Sequence, residues 1–128
     1  MVRPQSEVLT EREAQIMEIL WEAGEGTAEA VREALPDDPH DSTVRTMLRV
    51  LKDKGYVRIR GRQPAVYVPK IGRAKVQTKA AQSLLTRFFG GSVEALVLRL
   101  IEDEELTSDQ LDQLRKSVLK QNRQGDRS

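Results

Sequence analysis

Apolar positions along the 128-residue chain fall into six helical stretches and one alternating stretch. In the first, Ile16, Met17, Leu20 and Trp21 share one face of a helix. Thr10 and Glu13 have capping-box spacing ahead of it, Leu9 is placed to staple onto Ala14, and Gly24 ends it. Glu11, Glu13, Glu18 and Glu22 read as its solvated face. A second helix opens on Thr27 and turns Val31, Ala34 and Leu35 inward before Pro36 stops it. The loop "PDDPHD" follows. A third helix, capped by Asp41 or Ser42, buries Val44, Met47, Leu48 and Leu51 and closes on Gly55.

The period then shortens. "YVRIR" and "AVYVP" alternate like two strands around the turn "GRQP", with Arg58 and Arg60 on one face and Val57 and Ile59 on the other. Three more helices come after them. "RAKVQTKAAQSLLTRFF" stops at Gly90-Gly91, Ser92 caps "VEALVLRLIE", and Thr107 with Gln110 makes a second capping box for "SDQLDQLRKSVLKQ". The tail "NRQGDRS" reads as frayed. Three helices, a hairpin and three helices predict a mainly α chain: a winged helix-turn-helix followed by a three-helix dimerisation region. The boundary falls at 71/72, giving a DNA-binding domain over 1–71 and a helical dimerisation domain over 72–128. Leu85, Phe88, Phe89, Leu96, Leu100, Leu111, Leu114 and Val118 are more apolar surface than three short helices bury alone, which predicts a core shared between two copies.

Charge changes the picture. The net charge is only +1, but it is segregated. From Ser42 to Lys79 eleven basic residues face Asp53 alone, whereas Met1 to Asp41 carries eleven acidic residues against three basic ones. A basic block inside a neutral chain is the footprint of a nucleic-acid face. The third helix offers the side chains such a face needs. Near its N-terminus, Thr43 and Thr46 suit base edges, and Arg45 can fork onto guanine, a contact giving about tenfold discrimination or more. Ser42 sits where a phosphate would meet the helix start. Arg49, Lys52 and Lys54 lie further along, and Arg60 and Arg62 on the wing can reach a flanking backbone or the minor groove.

Composition excludes other classes. The chain has no cysteine and one histidine, His40 in a loop, so thiolate metal sites, disulfides and the usual nucleophile–base pairs cannot be built. No phosphate-binding glycine loop is present, and the acids at Glu102–Glu105 lack the spacing of a calcium loop and read as a solvated turn ahead of a helix. No enzyme, cofactor or metal is expected. The N-terminal stretch has no apolar core for a signal peptide and no run is long enough to span a bilayer, so a cytoplasmic protein is expected. Two function classes remain: a DNA-binding regulator, and a winged helix that binds protein without reading DNA.

The stretches "LTEREAQIMEILWEAGEGTAEAVREAL", "STVRTMLRVLKDKGYV", "VYVP" and "FFGGSVEALVLRLIEDEELTSDQLDQLRKSV" together resemble the penicillinase-repressor (BlaI/MecI) family, from about Leu9 to about Lys120. The resemblance implies a homodimeric repressor whose two winged helices read an inverted-repeat operator in double-stranded DNA, in a setting of antibiotic resistance. It places the family's base-reading threonine, arginine and threonine on Thr43, Arg45 and Thr46, and its wing-strand tyrosine on Tyr67. The residues alone leave Tyr67 equally well placed as strand core. The resemblance further implies a membrane-bound sensor metalloprotease as partner and release by cleavage in the C-terminal region. Arg99-Leu100 stands where the best-known members have an asparagine-phenylalanine scissile bond.

Overall fold

The computed structural model of the protein describes residues 9–125, with side chains through 122. The segment "MVRPQSEV", part of the stretch read as lacking a signal-peptide core, lies outside the described residues, as do the last three residues of the polar tail. The elements run α1 (Glu11–Ala23), β1 (Gly26–Thr27), α2 (Ala28–Ala34), α3 (Asp41–Asp53), β2 (Val57–Arg60), β3 (Val66–Pro69), α4 (Arg73–Phe89), α5 (Val93–Glu102) and α6 (Ser108–Gly125). The chain divides into two compact units with the border between Ser83 and Leu84, inside α4.

In the first unit, α1 starts on the expected capping box. The Thr10 hydroxyl accepts from the Glu13 amide at 3.2 Å, and the Glu13 carboxylate accepts from the Thr10 amide at 2.8 Å. Thr27 caps α2 through a single bond, its hydroxyl accepting from the Ala30 amide at 3.1 Å. The cap of α3 differs from expectation. His40 is the N-cap and makes no side-chain cap bond, while Asp41 and Ser42 lie within the helix. Asp41 is already the first helical residue, past the cap position, and its carboxylate accepts from Arg45 instead. At its C-terminus α3 closes in a Schellman turn: the Tyr56 amide donates to Leu51 O and the Gly55 amide to Lys52 O, with Gly55 at φ +87°. That turn delivers Tyr56 and Val57 into the core.

The core joins Ile16, Met17 and Leu20 of α1 with Val31 of α2, Val44, Leu48 and Leu51 of α3, and Tyr56, Val57 and Tyr67 of the wing. Ala34, expected inside, is exposed; α2 ends there, and Leu35 turns in as the C-cap instead. The sheet has three antiparallel strands in the order β1-β3-β2. Tyr67 on the central strand pairs with Gly26 on one side and Ile59 on the other. β1 is only two residues long and has no counterpart in the sequence pattern. Ile59, on the same face of β2 as Val57, is 40 % exposed: it lies on the edge strand, whereas Tyr67 opposite it on the central strand is buried. Three helices, with α2 and α3 as the helix-turn-helix, and the hairpin make the first unit a winged helix-turn-helix.

Glu13 does not belong to the solvated face. It is 2 % exposed, and its carboxylate lies 2.9 Å and 3.0 Å from the Lys54 ammonium, itself almost fully enclosed at the end of α3. Burial pushes the carboxyl up, but the Thr10 amide and the Lys54 ammonium together hold it below the usual carboxylate range. The first turn of α4 is held on α1 as well. Trp21 Nε1 donates to Ile71 O at 3.0 Å, and Arg73 lies over the Trp21 ring while pairing with Glu18. These contacts join residues 71–73 to the first unit.

In the second unit, Ser92 caps α5 and the Thr107–Gln110 box caps α6 with both bonds formed. α6 carries on through residues 122–125, the first part of the tail expected to fray. Leu85, Phe89, Leu96 and Leu100 are half-buried, whereas Phe88, Leu111, Leu114 and Val118 are exposed, and no residue of α4 or α5 is buried. After α5 a second Schellman turn forms, with the Glu105 amide on Leu100 O and the Glu104 amide on Ile101 O. Here the left-handed position, φ +63°, is held by Glu104.

Two outcomes follow. Lys54→Met leaves the Glu13 carboxylate enclosed without its cation and should lower unfolding free energy by about 3 kcal/mol in urea titration. Because the folded Glu13 carboxyl sits below its unfolded value, its contribution is complete above about pH 5 and is lost as pH falls through the folded value. Glu13→Gln should therefore flatten the acid limb of the stability–pH curve. Glu104→Gly, which relieves the left-handed turn, should raise stability by about 0.5 kcal/mol in thermal unfolding; a decrease would contradict the strain assigned to that residue.

Candidate nucleic-acid interface

The two sides of α3 are cleanly divided. Val44, Leu48 and Leu51 are sealed in the core, so Ser42, Thr43, Arg45, Thr46, Arg49 and Lys52 are all exposed on the opposite side. Next to that side lie Ile59 and the edge of buried Tyr67 on the hairpin. Ser42, Arg45, Thr46, Arg49, Lys52, Ile59 and Tyr67 thus line one concave surface of about 400 Å³. A second hollow of about 450 Å³ adjoins it, bordered by Thr27, Glu29, Arg45, Arg62, Gln63 and Tyr67. Arg45 and Tyr67 border both hollows.

Most of the residues singled out from the sequence therefore meet. Ser42, Arg45, Thr46, Arg49, Lys52 and Tyr67 share the first concavity, and Arg62 reaches the second. Thr43 is exposed on α3 but lines neither. Tyr67 is only 8 % exposed, so it is a core residue whose edge touches the face. Lys54 does not belong to the set. Its ammonium is turned inward onto Glu13, where a phosphate cannot reach it without breaking that pair.

The basic side chains are also not equally available. Arg60 spends both terminal amino groups on the Glu25 carboxylate, which ties β2 to the turn before β1. The hydrogen bonds from Arg60 hold the Glu25 carboxyl below its ordinary range. Arg45 donates through Nε to Asp41 at 2.8 Å. Arg49, Lys52 and Arg62 make no ion pair among the described residues. His40 Nδ1 lies 3.2 Å from the Ser42 hydroxyl, at the start of the helix.

Sequence reasoning misses three members of this face. Strand alternation puts Ile59 on the face of Val57, but does not show that β2 is an edge strand whose face is partly open. Glu25 and Asp41 count with the acidic N-terminal block, although the i, i+4 spacing of Asp41 and Arg45 is there to be read. Among the described residues no group of three or more histidine, cysteine or carboxylate side chains is arranged to hold a metal ion, and no helix is long and apolar enough to cross a membrane.

Arg99 and Leu100 are elsewhere, in the last turn of α5. Arg99 pairs with Glu102 at 3.2 Å. The carbonyl oxygens of both residues accept backbone hydrogen bonds from the turn that follows.

Known proteins resemble this chain in sequence. The methicillin resistance regulatory protein MecI of Staphylococcus aureus strain N315 is 24 % identical over 110 residues, covering 84 % of this chain and 89 % of that one. The penicillinase repressor of Bacillus licheniformis is 24 % identical over 109 residues, covering 83 % and 85 %. That of Staphylococcus aureus is 29 % identical over 76 residues, covering 59 % and 60 %. The model of the penicillinase repressor family matches residues 9–120. With that match running through both units, from the cap of α1 into α6, the chain belongs to the penicillinase-repressor family.

Proposed function

We propose that this chain is a transcriptional repressor that binds double-stranded DNA as a homodimer, each winged helix reading half of an inverted-repeat operator. One observation carries the reading. Ser42, Arg45, Thr46, Arg49 and Lys52 of α3 form a concave, basic surface with the wing edge, and Val44, Leu48 and Leu51 on the opposite side of the helix are sealed in the core. A helix fits the major groove of B-DNA and reads it from its N-terminal half. Arg45 and Thr46 are placed for base edges, with Thr43 beside them. Ser42, Arg49, Lys52 and Arg62 suit phosphates. Arg60 joins them only if Glu25 releases it.

The second copy is proposed to cover the exposed apolar residues of α4 and α6. Phe88 is 69 % exposed and Leu114 51 %, which is far from the burial these residue types usually reach. On this reading the winged unit, over 1–71 together with the first turn of α4, binds DNA, and the helices beyond dimerise. Release by a sensor metalloprotease would cut Arg99-Leu100. The bond lies in helix, so the last turn of α5 would have to unwind before a protease could take it in extended form.

Selection from a random duplex pool at near-physiological salt tests the reading. An inverted repeat with half-site centres about one or two helical turns apart is the expected product. A pool that stays random would leave a winged helix that binds another protein. Arg45→Ala should remove base preference while the dimer persists in sedimentation. Arg62→Ala should weaken binding to every sequence. It should also reduce the slope of log affinity against log salt by about 0.9 if Arg62 neutralises one phosphate. Leu114→Asp should give monomers; a surviving dimer would move the interface off α6.

A further inference from the structure

Arg45 is held in a specific way. Its Nε–H donates to Asp41 Oδ2 at 2.8 Å, one helical turn back along α3, and both side chains are more than half exposed. A guanidinium has five N–H donors in a rigid plane. The bond to Asp41 uses the donor nearest the stem. Among the described residues neither terminal amino group of Arg45 is hydrogen-bonded to another group. The end of the plane, with its two amino groups side by side, is the part that forks onto guanine O6 and N7.

Arg60 shows the opposite use of the same side chain. There both terminal amino groups lie on one carboxylate, Glu25, and the fork is already filled. The two arginines therefore differ in which donors the protein has taken, not in charge or exposure. The Asp41–Arg45 pair is also too exposed to matter much for folding, since such pairs contribute little in water. Its effect falls on where the guanidinium points.

We infer that Asp41 is a positioning residue for base reading: it holds Arg45 by Nε so that both terminal amino groups face outward as a fork for a guanine edge. The inference rests on the DNA-binding function proposed above. A pre-set fork loses less side-chain freedom on meeting its base, which favours the right partner over others. The carboxylate itself has a second effect. It stands on the first turn of the same face, where a phosphate placed against Arg45 would meet a negative charge. A guanine edge, presenting two acceptors to the fork and no charge, is not repelled in that way. Asp41 therefore sharpens selectivity by favouring the base and by discouraging loose phosphate binding.

The test uses the full-length protein, the selected operator duplex, the same duplex with single base-pair replacements, and random-sequence duplex, read by fluorescence anisotropy. Arg45→Ala first identifies the base pair whose replacement no longer matters. At that pair Asp41→Ala should lose about tenfold in preference. Asp41→Asn keeps an oxygen to accept from Nε and should retain most of the preference. Both variants should bind random duplex about threefold more tightly, because a negative charge has gone. Full preference in Asp41→Ala, at a pair that Arg45→Ala shows to be read by Arg45, overturns the positioning role and leaves the DNA reading intact. Loss of preference in Asp41→Asn equal to that in Asp41→Ala overturns the role of the acceptor. A wild-type protein with no base preference at any pair overturns the proposed function and this inference together.

Discussion

A carboxylate enclosed by apolar side chains costs several kcal/mol unless donors surround it, and Glu13 is such a carboxylate. Its donors come from two directions. The Thr10 amide belongs to the start of its own helix, and the Lys54 ammonium to the end of α3. The pair therefore fixes the end of one helix against the beginning of another. The three buried residues of α3 set its rotation about its own axis, and Lys54 sets its far end. Ser42, Arg45, Thr46, Arg49 and Lys52 are on the outside as a consequence. The exposed basic face depends on an ion pair that is itself enclosed.

Local rules make much of this legible. Capping boxes at Thr10 and Thr107, the N-caps at Thr27 and Ser92, and the glycine after α3 depend only on residues a few positions apart, and the sequence displays them directly. The inward positions of α1 and α3 follow from helical period for the same reason. What depends on distant partners is not visible. Glu13 looks like one acid among several until Lys54 arrives from 41 positions away. Two residues of β1 carry no pattern, and only Val66 and Tyr67 make them a strand. Lys54 reads as one more base in a basic run, although the turn at Gly55 carries the chain back toward the core at that point. Ile59 obeys the alternation, but alternation does not report that β2 lies at the sheet edge, opposite a central strand whose Tyr67 is buried.

The charge segregation seen in the sequence also takes a different form in three dimensions. Part of the acidic block folds back onto the basic one. Glu25 takes Arg60, Asp41 takes Arg45, Glu18 takes Arg73 and Glu13 takes Lys54. Arg49, Lys52, Arg58, Arg62, Lys70, Lys75 and Lys79 are left without an ion pair among the described residues. Charge along a chain thus overstates the number of cations a phosphate backbone would meet, and overstates it most where acids and bases are brought together by the fold.

The single tryptophan of the chain, on α1, packs against the start of α4. Trp21 donates its indole N–H to the carbonyl of Ile71 and lies under the guanidinium of Arg73, and those two residues flank the point where the chain leaves the wing and enters α4. The molecule therefore carries a built-in fluorophore whose polar edge and ring face are both occupied by the junction it reports on. Emission from that one side chain, with no label added, follows whether the first turn of α4 stays seated on α1 or lifts away from it.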